Sequence, residues 1–282
     1  MARDPSLMSV AELKRELHDN YKVSDFSDCL EKGDLEKKLA EARKAPPNTE
    51  SYFGGVARVG NVASPTALVV FCHGFGDTHQ GWADGMEPLI KAVPHAMFVL
   101  PTAPTQPVTM NGGMRMTAWY DIKTIGVGPE DDEGIVKSAH ALRAFAKSVC
   151  EGKKIPLDRV VFAGFSQGGC VSIAAGLITG RKSDDAATIS CAGVCALSGY
   201  FGGRATVPRL AAATSPPIAM FHGEADPLIP VAMCHASKVG IETMVPGAKD
   251  QIRLKTYPGL AHSANIRELA DVAAFLKEVL PK

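Results

Sequence analysis

Residues 159–179 read RVVFAGFSQGGCVSIAAGLIT. Val160, Val161, Phe162 and Ala163 form a short apolar run, as expected of a strand buried on both faces. A helical stretch of small and apolar residues begins at Gln167. Between them lies Gly164-Phe165-Ser166-Gln167-Gly168, a G-x-S-x-G turn from strand to helix. So tight a turn brings the residues two before and two after the serine together, and only glycine fits at both. The serine is held in a strained backbone conformation that exposes its hydroxyl. The N-terminal end of the following helix adds partial positive charge. A G-x-S-x-G string alone recurs by chance, but one bounded by a strand and a helix is specific. Ser166 is the candidate nucleophile.

Outward from this turn, strands and helices alternate from residue 51 onward. Strands are predicted at 67–73 (ALVVFCH), 96–100 (AMFVL), 159–164, 192–197 (AGVCAL), 217–223 (PIAMFHG) and 251–257 (QIRLKTY). Helices are predicted at 131–149, 167–179 and 264–280, the first with Ile135, Ala139, Leu142, Ala146 and Val149 near one face. The alternation implies an α/β fold, a mainly parallel sheet with helices on both faces.

A serine hydroxyl needs a base, and the base needs a carboxylate to orient it. Where such a turn carries the nucleophile, the chain order is Ser, then Asp or Glu, then His. Three histidines follow Ser166: His222, His235 and His262. His235 falls inside a predicted helix, and His222 ends a strand and reads as structural. His262 follows the last strand and a turn, so it can reach the sheet's C-terminal edge. Asp226, just past PIAMFHG in a loop closed by Pro227 and Pro230, is the candidate acid, with Glu224 as runner-up. Taken alone, Asp226 would read as a loop or helix-cap carboxylate; the order of three strand-end residues argues otherwise. The oxyanion needs two preorganised N–H donors. Gln167, after the nucleophile, is the expected source of one, and Phe75, in His73-Gly74-Phe75-Gly76-Asp77, is the candidate for the other. His73 lies too early in the chain for the base and reads as structural.

Composition narrows the partners. The chain has 282 residues, with 30 Lys plus Arg against 30 Asp plus Glu. The balance gives no whole-chain field to steer nucleic acid or anionic membranes, so no nucleic-acid partner is expected. Seven scattered cysteines, with no C-x-x-C pair, read as small buried hydrophobes in a reducing compartment. The first residues lack a long apolar segment and position 2 is Ala, so neither a secretory signal nor a myristoyl start is expected. No apolar run reaches membrane-spanning length. The expected location is the cytoplasm.

The polar APPNTE stretch, residues 45–50, separates two compositions. We expect a small helical unit over 1–45, a linker over 46–50 and a catalytic domain over 51–282. In the first unit, Ser9 and Glu12 have capping-box spacing. Val10, Leu13 and Leu17 share one helical face, Val23, Phe26 and Cys29 lie on a connector, and Leu35, Leu39 and Ala42 form a second face. Residues 9–42 resemble the helix-extension-helix of SAP-type domains. Residues 1–45 hold nine Lys or Arg and ten Asp or Glu, which argues against DNA binding. An appendage that docks a protein partner or targets the chain, and a purely structural cap, are the two readings.

Four motifs then point one way: FCHGFGDTHQGW (71–82), GFSQGGC (164–170), HGEADPLIP (222–230) and GLAHSA (259–264). With residues 96–122, DDEGI (131–135) and LSGYF (197–201), they resemble the acyl-protein thioesterase / lysophospholipase / carboxylesterase family over about residues 52–282. The resemblance implies an α/β-hydrolase fold and a Ser166, Asp226, His262 triad. It implies Phe75 and Gln167 as oxyanion donors, and no metal or organic cofactor. It implies S-acylated proteins, small acyl esters or lysophospholipids as substrates, with at most transient membrane contact. HGFGD departs from the family's frequent HGLGD and brings a phenyl ring toward the acyl site. The N-terminal 45 residues lie outside the usual family architecture.

Trp82, Met116, Trp119 and Leu228 are the candidate substrate-binding residues. Met110, Met114 and Met116 make the loop before Trp119 rich in thioethers, which suit a greasy channel. Each side chain alone reads equally well as core. Two further readings stand beside a protein thioesterase: a broad carboxylesterase or lysophospholipase, and a non-catalytic binder that kept the pocket.

Overall fold

A computed structural model describes residues 4–21, 25–29, 31–42, 49–124, 128–178, 191–211 and 214–282. The chain divides into two units, Met1–Tyr52 and Phe53–Lys282. In the first, helices α1 (Val10–Tyr21) and α2 (Lys32–Ala42) pack through Leu13, Leu17, Leu35 and Leu39, with Phe26 and Cys29 against them. The capping box closes both ways. Ser9 N–H donates to Glu12 Oε2 at 2.7 Å, and Glu12 N–H donates to Ser9 Oγ at 3.2 Å. Met8 precedes the cap and joins Leu13 in the buried cluster, the spacing of a hydrophobic staple. Val10, expected on that face, is 44% exposed, and Met8 takes the buried place instead. Val23, the side chain of Ala42 and positions 46–48 of the expected linker lie outside the described residues.

In the second unit, seven of the described strands form one sheet. They are β1 (Val56–Gly60), β2 (Ala67–Cys72), β3 (Ala96–Pro101), β6 (Val160–Phe165), β7 (Gly193–Leu197), β8 (Ile218–Gly223) and β9 (Ile252–Tyr257), in the order β1-β3-β2-β6-β7-β8-β9. All neighbours are parallel except the edge pair of β1 and β3, which is antiparallel. Strands β4 (Thr105–Val108) and β5 (Met114–Thr117) form a separate hairpin. The six predicted strands are present with nearly the expected limits. The sequence reading misses β1 and the hairpin because their residues are half-exposed, and Pro107 in β4 argues against a strand.

The helices are α3 (Gln80–Ala83), α4 (Glu87–Ala92), α5 (Asp132–Lys153), α6 (Gln167–Leu177), α7 (Val207–Leu210), α8 (Val231–Met244) and α9 (Ile266–Val279). Every residue of α6 is buried, as its apolar, small-residue sequence requires. Helix α5 buries Ile135, Ala139, Leu142 and Ala146 as expected, and Phe145 and Arg143 as well, while Val149 is half-buried. All seven cysteines are free thiols and six are buried. Among the described residues, no helix is long and apolar enough to cross a membrane. The architecture is that of an α/β hydrolase, with β6 near the middle of the sheet delivering the Ser166 turn to its C-terminal edge.

Candidate active site

Ser166 has φ 56° and ψ −120°, a left-handed conformation that costs a non-glycine residue on the order of 1–3 kcal/mol. Close packing holds it there. A Cβ on Gly164 would come within 2.5 Å of Gly168 backbone atoms, and one on Gly168 within 2.1 Å of the Cys72 carbonyl oxygen. The Ser166 N–H donates to Leu197 O at 2.8 Å, tying the turn to β7.

The three residues expected to work together meet at this edge. Ser166 Oγ lies 2.9 Å from His262 Nε2, and His262 Nδ1 lies 2.7 Å from Asp226 Oδ2. The Nδ1 proton therefore belongs to the carboxylate contact, which leaves Nε2 free to accept from the serine. Asp226 has a fully buried side chain. Its Oδ1 accepts the N–H groups of Leu228 and Ile229, each at 2.9 Å, so the loop it begins also fixes its orientation. The ring of Phe165 lies against the His262 imidazole, with centroids 4.9 Å apart, and Trp82 backs Phe165 at 5.3 Å.

The runner-up acid points elsewhere: Glu224 Oε1 accepts from the Thr256 hydroxyl at 2.7 Å on the exposed surface. His235 is exposed on α8. His73 is a buried strut whose Nε2 accepts Ala103 N–H at 2.9 Å, so its Nδ1 carries the proton and donates to Gly74 O at 2.6 Å. Burial pushes its pKa down, in keeping with a neutral ring.

Phe75 and Gln167 both line the cavity beside Ser166. Among the described residues neither backbone N–H has a protein acceptor, which leaves both free for a ligand oxygen. The side chain of Gln167 has a second role that the sequence reading missed. Its Oε1 accepts Trp119 N–H and its Nε2 donates to Tyr120 O, each at 2.8 Å. It thereby clamps the Trp119–Tyr120 segment to the start of α6. Two other members of the site, Phe165 and the hydroxyl pair Tyr120–Tyr200 at 3.0 Å, lie in motifs quoted above but carried no signal separating them from core.

The cavity has a volume of about 450 Å³. Trp82 and Leu228 are among its walls, with Phe75, Phe165, Ile229 and Met233. Met116 and Trp119, expected in the same role, are not. Trp119 is 1% exposed, and its indole N–H donates to His73 O at 2.8 Å, so it is core beneath the Phe75 loop. Met116 sits on β5, where its Sδ accepts from Asn111 Nδ2 at 2.9 Å and its methyl group backs Gly76. Burial satisfies an apolar side chain equally in core or cavity, so residue type alone did not separate them. Met110, from the same methionine-rich loop, does line the cavity, and Met114 is exposed.

A serine on a strained strand-to-helix turn, met by a buried His–Asp pair at the C-terminal edge of an α/β-hydrolase sheet, defines the class: a serine hydrolase. The model of the phospholipase/carboxylesterase family matches residues 58–280, and the chain belongs to that family. It is 36% identical over 230 residues to an acyl-protein thioesterase 1 of Mycosarcoma maydis, covering 77% of this chain and 92% of that protein. It is likewise 36% identical over 228 residues to an acyl-protein thioesterase 1 of Gibberella zeae, covering 77% and 92%. Among solved structures, Zea mays acyl-protein thioesterase 2 aligns with a TM-score of 0.68 and 23% identity, over 81% of this chain and all of that one, a likeness of fold.

Proposed function

We propose that this protein hydrolyses acyl thioesters or esters through an acyl-enzyme on Ser166, and that its substrates are S-acylated proteins. His262 Nε2 takes the Ser166 proton as Oγ attacks the acyl carbonyl. The tetrahedral oxyanion accepts from the Phe75 and Gln167 N–H groups. As the carbon–sulfur or carbon–oxygen bond breaks, His262 returns the proton to the leaving thiolate or alkoxide. Water, deprotonated by the same imidazole, then attacks the acyl-serine and releases the carboxylic acid and the free serine. Asp226 holds the imidazole tautomer and stabilises the imidazolium throughout. The observation that carries this reading is the unbroken contact series Ser166 Oγ, His262, Asp226 at 2.9 and 2.7 Å beside an apolar cavity.

The cavity walls Trp82, Phe75, Phe165 and Leu228 favour an apolar acyl chain over a sugar or a charged group. A protein thioesterase is preferred because of the names of the relatives at 36% identity. The family's own description favours, as a second reading, a broader carboxylesterase or lysophospholipase. Rates on matched thioesters, oxygen esters and lysophospholipids, across acyl lengths, test the choice. A long-chain S-acyl peptide preferred over the matching ester and lysophospholipid supports the first reading, and the reverse order supports the second.

We place the protein in the cytoplasm, meeting membranes transiently where acylated substrates reside. We assign residues 51–282 to catalysis, 46–50 to a linker, and the helical unit over 1–45 to docking a protein partner. Deleting residues 1–45 should leave turnover of a small ester unchanged and alter location or captured partners. Unchanged location and partners would leave the unit without that role.

A further inference from the structure

His222 is the penultimate residue of β8, four residues before Asp226, and is completely buried. The proposed mechanism does not use it. Its Nε2 lies 2.7 Å from Ile229 O and 3.5 Å from Asp226 Oδ2, while Nδ1 has no partner. The ring can serve the Ile229 carbonyl only with its proton on Nε2. Burial lowers its pKa, consistent with that neutral form. The titratable groups that face it are Asp226, His262 and His235.

These contacts close a ring in the chain. The loop leaves β8 at Gly223, passes Asp226 and returns at Ile229 to the side chain of His222. Asp226 Oδ1 is held by Leu228 and Ile229 N–H at 2.9 Å, so the same two residues orient the carboxylate and line the cavity. We propose that His222 is a positioning residue for Asp226: by donating Nε2–H to Ile229 O, it fixes the loop that aims the carboxylate at His262 and sets the Leu228–Ile229 wall. The inference rests on the triad reading above.

Three variants in the full chain test it: His222→Phe, His222→Gln and His222→Asn. Gln places an amide N–H near the position of Nε2. Asn is too short and places one near Nδ1. Phe keeps the volume and donates nothing. Rates are normalised to active sites counted with a fluorophosphonate, so partial misfolding does not register as lost kcat. A misaimed carboxylate should lower kcat of H222F and H222N by about 10²-fold, the scale of small misplacements in catalytic groups. H222Q should recover most of that loss. The low-field proton signal of His262 Nδ1–H against Asp226 should shift in H222F and H222N and return in H222Q. Should H222F fail to fold, the comparison of H222N with H222Q decides. Equal kcat and equal proton signals in those two variants would overturn the positioning role while leaving the triad intact. Absence of fluorophosphonate labelling in the wild-type protein would instead overturn the triad reading.

Discussion

A Cβ placed on Gly168 would lie 2.1 Å from the carbonyl oxygen of Cys72, on the neighbouring strand of the sheet. Because the obstacle is backbone, no rotamer change relieves it. Gly168→Ala should therefore open the Ser166 turn, at a cost of about 3 kcal/mol, the upper part of the range for overpacking. Urea unfolding checks the stability, and active-site labelling checks the turn. A variant with unchanged midpoint and full labelling would show that this contact does not shape the turn.

Gln167→Ala leaves Trp119 N–H and Tyr120 C=O unpaired in a buried place. Each lost partner costs about 1–3 kcal/mol. The backbone N–H of position 167 survives the change, so any loss of activity reports movement of the Trp119–Tyr120 segment. Unfolding curves together with kcat separate the two effects. Wild-type stability would contradict the clamp.

Trp82 packs between Phe71 and Phe165, at ring-centroid distances of 4.7 and 5.3 Å with the planes tilted, and Phe165 in turn touches His262. Trp82→Ala should raise KM for long acyl chains by about 10-fold, roughly the value of one or two lost apolar contacts, and affect acetyl esters less. A series of esters from short to long acyl chains reads this directly. An equal effect at every length would remove Trp82 from the acyl wall.

Glu268, in the first turn of α9, is completely buried, and neither carboxyl oxygen has a hydrogen-bond partner. Burial pushes its pKa up to about 7 from 4.5; the nearby backbone N–H of Asn265, though not within hydrogen-bonding geometry, offsets part of this, and Asp271 adds to it. A raised carboxyl pKa means that the folded chain holds a proton the unfolded chain has released. Stability should therefore fall as pH rises from about 4.5 to about 7 and then level off. The total change is on the order of 3 kcal/mol, at about 1.4 kcal/mol per pKa unit. Glu268→Gln should remove this decline, so its advantage over wild type grows across that window. Parallel stability–pH curves for the two proteins would contradict the assignment.

The sequence showed what strong local chemistry imposes. The Ser166 turn was legible because two glycines flank a serine between an apolar strand and an apolar helix. The order Ser166, Asp226, His262 was legible because each follows a strand end. What escaped was set by tertiary context. Strand β1 pairs at an edge with half-exposed residues, so its pattern was faint. Trp119 and Met116 read as channel walls because burial in a core and in a cavity call for the same residue types. The Gln167 clamp and the His222–Ile229 bond depend on contacts that no spacing rule encodes.

Ser166 as the nucleophile is tested most directly by fluorophosphonate labelling with mapping of the modified residue, run beside turnover of an acyl thioester. One label per chain is expected, on Ser166. Ser166→Ala should lose that label and show a fall in kcat of about 10⁶-fold, as in other triads stripped of the nucleophile. Full labelling of Ser166→Ala, or a label mapped to a different residue, would contradict that role for Ser166.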